Sequence, residues 1–566
     1  MQLHPVKHLS KYLAVLAGLS IVSVILAVIG WVDISRYQPL AFTDLVFRSL
    51  KSFEAGGAYD DVGTRYKGEI FLEIARYLGV IVAFSSVGLF VTTQVSDRLI
   101  RFTVRLKKRH IILVGRSHFA EVLSAAFRSD VVHLTSAEIP PHQSGFLTRL
   151  PLRADHLHAL SDVAAGKASS LVFAPDGDDG AIGLAMSAVN RFPGQEVYVR
   201  VADPWLAQRL HKVDGAERLR AFSEAGMAAR EISRRHPLFL LARDLNQTCI
   251  HALLAGDHAW SEALMCEIVA DCVTLTFGKP VISFICDNAS AFEQRLKMRY
   301  PELDQSVDFH FYEAGQLTRV QAFDDTLERI GAVAPVTAVY ITQQERGDVL
   351  TTSLTFLEQA CKASNFQAPV FVLSDNAQGL SRPAPGAALT PLQLVPFGAA
   401  EDFVHALGIG RNDVHQAERQ YHEEYLRIAV SPSEAAVPWT QLKEEYRVSN
   451  ARAVGHIYAK LFEAGFNLRD WMAGHNIWTE LPALKTGERL WRNAAERTRL
   501  AELEHLRWMM DRRLNGWSQG PRDALRKFHP DLIPFEVLSE DVRNNDYAFI
   551  DLLDRLLERL PDGMSR

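Results

Sequence analysis

The stretch "RHIILVGRSHFAEVLSAAF", residues 109–127, decides how the middle of the chain folds. Residues 110–114 form an apolar run that reads as a strand. Gly115 breaks it, and a helical pattern follows. Strand, glycine turn and helix open a dinucleotide-binding α/β unit. Gly115 takes the first glycine position of that turn, with Ser117 and Ala120 in the second and third. Alanine still permits close helix–strand packing, whereas serine restrains the approach of a pyrophosphate. The next strand, "VVHLTS", ends at Thr135 or Ser136, where a ribose-binding carboxylate is expected.

Working outward, "LVFAPDGDD" and "VYVRVADP" each supply a further strand and turn before a helix. The aspartates of the first turn read as a solvated loop. The pattern then recurs. "TCIHALLAGDHAWSEALMCEIV" repeats strand, turn and helix around Gly256, with His258 and Ser261 in the second and third positions. The strand in "KPVISFICDNA" ends at Asp287, placed to meet a ribose hydroxyl. "AVYITQQERGDVLTTSLTFLEQA" and "PVFVLSD" continue the alternation. Spacing alone predicts two parallel-sheet Rossmann-like units, over 110–232 and 233–410. The order and spacing of the first unit resemble the TrkA-N or RCK family, regulators of potassium channels and transporters. The resemblance implies oligomerisation and a nucleotide or dinucleotide at the first turn, carried by Gly115, Ser117 and Asp176. In the second unit Gly256 and Asp287 hold the corresponding positions.

Toward the N-terminus the chemistry changes. Residues 12–32 and 77–96 carry no charge, and each matches the ~20 residues a helix needs to cross a bilayer. Lys7 and Lys11 precede the first run. Arg98, Arg101, Arg105, Lys107, Lys108 and Arg109 follow the second. The positive-inside rule then places both termini in the cytoplasm of an inner (cell) membrane protein. The basic run reads as an anchor on anionic lipid rather than a nucleic-acid site. Between the runs, residues 40–53 are apolar at helical spacing and precede "EAGGAYDD". Region 1–109 therefore has the layout of a two-span pore, in which Asp60 and Asp61 would form an acidic ring in an oligomer. The potassium filter pattern TVGYG is absent. A plain amphipathic helix with solvated carboxylates is the alternative.

The whole chain has 566 residues and a formal net charge of −6. That length exceeds one core, and the acidic balance gives no case for nucleic-acid binding. Cys249, Cys266, Cys272, Cys286 and Cys361 contain no CxxC pair and read as buried reduced thiols, not metal ligands. No catalytic motif of the HExxH, GxSxG or P-loop kind occurs.

Beyond residue 411 the chain turns helical. A connector over 411–497 leads to "EHLRWMMDRRLNGWSQGPRDALRKFHPDLIPF", residues 504–535. Asn515 and Gly516 suit a helix end, and the prolines stop helices before a last amphipathic one. Glu504-His505, Trp508, Gly516-Trp517, Gly520, Asp523, His529-Pro530, Leu532, Pro534 and Asp546 resemble the RyR domain, a short repeat first described in ryanodine receptors. The resemblance covers about 498–560 and marks 498–566 as a small helical domain. It implies a sensor of nucleotide-derived signals. Tryptophan offers a stacking face for a base, and Arg507, Arg512, Arg513 and Arg522 offer phosphate forks. The candidate ligand residues are Trp517, His505, Trp508, Arg507 and His529. Trp508 reads as a core residue, whereas Trp517, at a turn edge, reads equally as core or as a ligand face.

The expected fold is thus a two-span helical membrane region, tandem α/β Rossmann-like domains and a small α-helical RyR-like domain. The expected function is a ligand-gated, ion-channel-like or potassium-conductance-regulating protein, acting as a homo-oligomer. A non-channel sensor or scaffold and an NAD(P)-dependent enzyme are the alternatives.

Overall fold

The computed structural model describes residues 9–51, 69–127, 130–135, 148–151, 160–161, 163–175, 177–213, 215–216, 218–313, 320–342, 355–360, 362, 366–374, 382–409, 416–428, 436–477, 479–560 and 563–566. Contacts divide the chain into two units, residues 1–108 with 128–167, and residues 109–127 with 168–566.

The first unit contains helices α1 (Leu9–Ser35), α2 (Phe42–Leu50) and α3 (Glu69–Leu106). Val15–Ser35 and Ile70–Gly88 are long and apolar enough to cross a membrane, with mean hydropathies of 2.6 and 1.8. The second window starts earlier than the charge-free run at 77–96. Ile70, Phe71, Leu72 and Ile74 extend its apolar face, and Glu73 and Arg76 pair one turn apart at 3.9 Å. Fully buried Ala27 and Ala75 let α1 and α3 approach closely, and the Ser23 hydroxyl donates to the Ala75 carbonyl at 2.8 Å. Trp31, Ile34 and Leu72 form a cluster against Leu40 and Leu45, so α2 packs on the pair. Ile21, Ile25, Ile29, Ile74 and Ile81 stand exposed on the two long helices. Asp60 and Asp61 lie outside the described residues. Strands β2 (Val131–Thr135) and β3 (Thr148–Pro151), also in this unit, pair in parallel.

In the second unit, β1 (Ile111–Val114), β4 (Ser170–Phe173), β5 (Glu196–Arg200) and β6 (Leu219–Phe222) run parallel in the order β1-β4-β5-β6. Helices α4 (His118–Phe127), α5 (Asp178–Arg191), α6 (Pro204–Arg209) and α7 (Glu224–Arg235) alternate with them. β1 and β4 are buried along their whole length, as parallel strands covered on both faces must be.

A second parallel sheet follows. It comprises β7 (His251–Ala255), β8 (Val281–Cys286), β9 (Asp308–Glu313), β10 (Ala338–Ile341), β11 (Val370–Leu373) and β12 (Leu394–Phe397). Its order, β12-β11-β10-β7-β8-β9, starts at the centre, winds to one edge and then to the other. That is the doubly wound Rossmann pattern. Cys266, Cys272 and Cys286 are buried in this region and Cys249 is half-buried, while Cys361 is outside the described residues.

One hydrophobic core runs from Ala225 through the second sheet and the connector to Met564. Helices α8 (Ala259–Asp271), α9 (Gln416–Ile428), α10 (Glu444–Gly455) and α11 (Ile457–Glu463) share it with α12 (Ala494–Leu514) and α13 (Glu540–Glu558). The C-terminal helices are therefore packed into the body of this unit rather than hung from it.

Candidate functional site

The C-terminal helix α12 starts at Asn493, whose side chain accepts from the Glu496 amide at 2.9 Å. It ends at Asn515, and Gly516 turns left-handed with φ +77°. The Gly516 amide donates to Arg513 O at 2.9 Å and the Trp517 amide to Arg512 O at 3.0 Å. This reversal carries Trp517 back beside the last turn of its own helix. Trp508 lies four residues before Arg512, on the same helix face. The Arg512 guanidinium is 5.5 Å from the Trp508 ring and 5.3 Å from the Trp517 ring.

A short strand, Phe528–His529, pairs with Ser518–Gln519 and brings in His529. Its ring meets Trp508 edge-on at 5.0 Å and Trp517 at 6.1 Å. Burial lowers the His529 pKa below the ordinary value; Asp531 opposes this, and Arg522 and Arg512 add to it. Both tryptophans are half-buried, so neither is a plain core residue. Arg512 makes no hydrogen bond or ion pair among the described residues, and its Nε is buried without a partner. The arrangement offers two π-faces, one guanidinium fork and one imidazole on a single half-open surface.

Of the residues expected here, Trp508, Trp517 and His529 come together. His505 stands behind them. Its ring stacks on Trp508 at 5.6 Å, Nε2 meets Ile533 O at 2.8 Å, and Nδ1 lies 3.3 Å from Asp546. Both ring nitrogens are engaged internally, so His505 positions Trp508. Arg507 is not at this surface. It is buried and grips Glu504 through three contacts of 2.7–3.1 Å. Fully buried Lys460 approaches the same carboxylate at 2.8 Å. Burial works to raise the Glu504 carboxyl, but Arg507 and Lys460 outweigh it and hold it below the usual range. Arg507 belongs to this ion triad because its position turns it inward, toward the connector helix. Arg513 likewise bonds Ser306 and Gln305 of the second Rossmann-like module. Arg512 is the fork that sequence spacing offered among four arginines without singling out. Only the left-handed turn at Gly516 selects it.

The helix end beneath this surface is held by both modules. Arg209 donates to Leu514 O at 3.0 Å, the Gln519 amide donates to Glu302 at 3.2 Å, and Arg452 of the connector bonds Asp511 at 2.6 Å.

Both glycine turns leave no room for a side chain on the glycine. Gly115 has φ +143°, and an added Cβ would sit 2.2 Å from Ala174 O. The Ser117 hydroxyl donates to that carbonyl at 2.7 Å and accepts from the Ala120 amide at 3.2 Å. It thus takes one of the helix-start donors a phosphate would use. At Gly256, with φ +130°, an added Cβ would meet Thr342 Oγ1 at 2.4 Å, and Thr342 bonds Ser261 at 2.7 Å. Asp287 is exposed just past β8. Asp176 lies outside the described residues.

The family model of the RyR domain matches residues 491–557. The chain carries an RyR domain. Its start at Trp491 lies ahead of the 498 boundary read from sequence; Arg489 and Arg497 flank that indole at 4.9 and 5.9 Å. The RyR domain thus contains all of Arg512, Trp508, Trp517 and His529. No curated protein matches the chain. Among solved structures, the GsuK channel is 15% identical, with a TM-score of 0.35 over 71% of this chain and 98% of its own. The GsuK channel bound to NAD is 12% identical, with a TM-score of 0.35 over 71% and 83%. GsuK bound to ADP is 15% identical, with a TM-score of 0.33 over 70% and 97%.

Proposed function

We propose that the chain is a membrane-anchored sensor whose RyR domain receives a small nucleotide-derived anion. The observation that carries this reading is Arg512, held between two half-exposed indoles with no hydrogen bond among the described residues. A flat base stacks on an indole, and a guanidinium takes phosphate in a fork. Because Arg209, Glu302 and Arg452 hold the same helix end, a ligand that shifts Trp517 changes the footing of both modules. Differential affinity for two arrangements then biases the membrane helices, in a channel-like or conductance-regulating oligomer. The chain leaves α3 at Leu106 and enters β1 at Ile111, so the connection is short.

Mass spectrometry of the full chain purified in detergent tests the site. A nucleotide-derived anion is expected with the native chain and absent with Trp517→Ala or Arg512→Gln. Stacking alone predicts an affinity loss of about 5- to 150-fold for Trp517→Ala. No bound or bindable nucleotide in the native chain overturns the reading. Liposome flux separates the two outputs: ion movement on ligand addition supports a channel, and none under any bound nucleotide leaves a non-channel sensor or scaffold.

A further inference from the structure

A cavity lies away from the tryptophan pair, where β6 and α7 meet the connector. It encloses about 150 Å³. A water occupies roughly 10–15 Å³ on this measure, so the space suits a small organic molecule. Phe222, Met227, Leu407 and Ala451 give it apolar lining, and Trp439 adds an indole. Three guanidiniums, Arg220, Arg230 and Arg447, line it with a single carboxylate, Glu267.

Each guanidinium is held in place by protein. Arg220 bonds the Tyr198 hydroxyl at 2.8 Å and pairs with Glu196, from outside the lining, at 2.8 Å. Arg447 donates to Trp439 O at 3.0 Å and lies 5.4 Å from that ring. Arg230 reaches Glu267 only at 3.3 and 3.4 Å. Those bonds use Nε and one amino nitrogen; the other amino nitrogen makes no hydrogen bond among the described residues and is left for a second acceptor.

We propose that this cavity binds a small aromatic carboxylate, its ring among Trp439, Met227 and Phe222 and its carboxylate beside the remaining amino nitrogen of Arg230 and the Arg447 guanidinium. The ligand would tie the last strand of the first sheet to α10. That helix reaches the RyR domain through Arg452 and Asp511. The cavity would therefore be a second input to the same body, of different chemistry from the RyR surface.

Saturation-transfer NMR and calorimetry on the full chain in detergent test this with benzoate, 4-hydroxybenzoate and indole-3-acetate, beside neutral indole-3-acetamide. At least one carboxylate is expected to bind, and the amide to bind about tenfold or more weakly than indole-3-acetate if that is the ligand. Arg447→Gln leaves buried Glu267 its partner, and Trp439→Phe keeps an apolar filler; each is expected to weaken binding with the melting transition retained. Failure of all three carboxylates to bind overturns the proposal. So does equal binding of the amide, or binding lost in Trp517→Ala but kept in Arg447→Gln.

Discussion

His251 opens β7 fully buried, with Nδ1 on Ala334 O at 2.7 Å and Nε2 on the Ser283 hydroxyl at 2.8 Å. Burial lowers its pKa from 6.5 to about 4; the Ala334 contact opposes this, and His310 adds to it. The unfolded chain therefore binds this proton more readily. Its neutral burial costs nothing above pH ~6.5, and stability is lost as pH falls from there toward about 4. The loss approaches roughly 3 kcal/mol at the lower end. Glu231 and Asp271, whose carboxyls burial raises to about 7, work in the opposite sense between the ordinary carboxylate range and pH 7. Comparison with His251→Gln isolates the histidine. Denaturant unfolding from pH 7 to 4.5 is expected to show a stability difference, native minus variant, that shrinks on acidification; parallel profiles would sink the assignment. None of this was legible in "TCIHALLAG". A histidine at a strand start carries no sign of which carbonyl and hydroxyl will close over it.

At the scale of elements, the turn after β1 is the plainest case of a motif read correctly in shape. Strand, Gly115 and α4 follow as the spacing predicts, because only glycine accepts φ +143° with Ala174 O so near. Ser117, in the second glycine position, caps α4 and bonds across to Ala174. Ser117→Ala is expected to cost about 1–2 kcal/mol, read by thermal or urea unfolding, without changing occupancy of the RyR site. Loss of a bound nucleotide in this variant would instead return ligand binding to the turn. The second apolar helix is a different case. Its charge-free core was visible, but its start was not, since Glu73 and Arg76 interrupt the composition while pairing along the helix.

Across the whole molecule, the second sheet, the connector and the RyR helices share one core, crossed by the Lys460–Glu504–Arg507 ion triad. Ending the chain after residue 490 removes Glu504 and leaves Lys460 buried without its carboxylate. It also uncovers the side of the core that Leu500, Leu503, Leu552 and Leu553 fill. Breaking a buried pair from one side typically costs about 3–5 kcal/mol before lost apolar burial is counted. The truncated chain is expected to lose near-UV circular dichroism and bind ANS; a native-like spectrum would show that the RyR domain is dispensable to the body. By itself the sequence determined the order of parts: apolar helices, two α/β units and an RyR domain. Hydrophobic period, glycine turns and motif spacing are local properties, fixed by backbone geometry over a few residues. The tertiary structure alone decided which of four arginines lies between the tryptophans, why Arg507 turns inward, and that the cavity beside Trp439 exists. Those depend on surfaces brought together from distant segments, where burial and charge pairing, not local spacing, choose each side chain's neighbours.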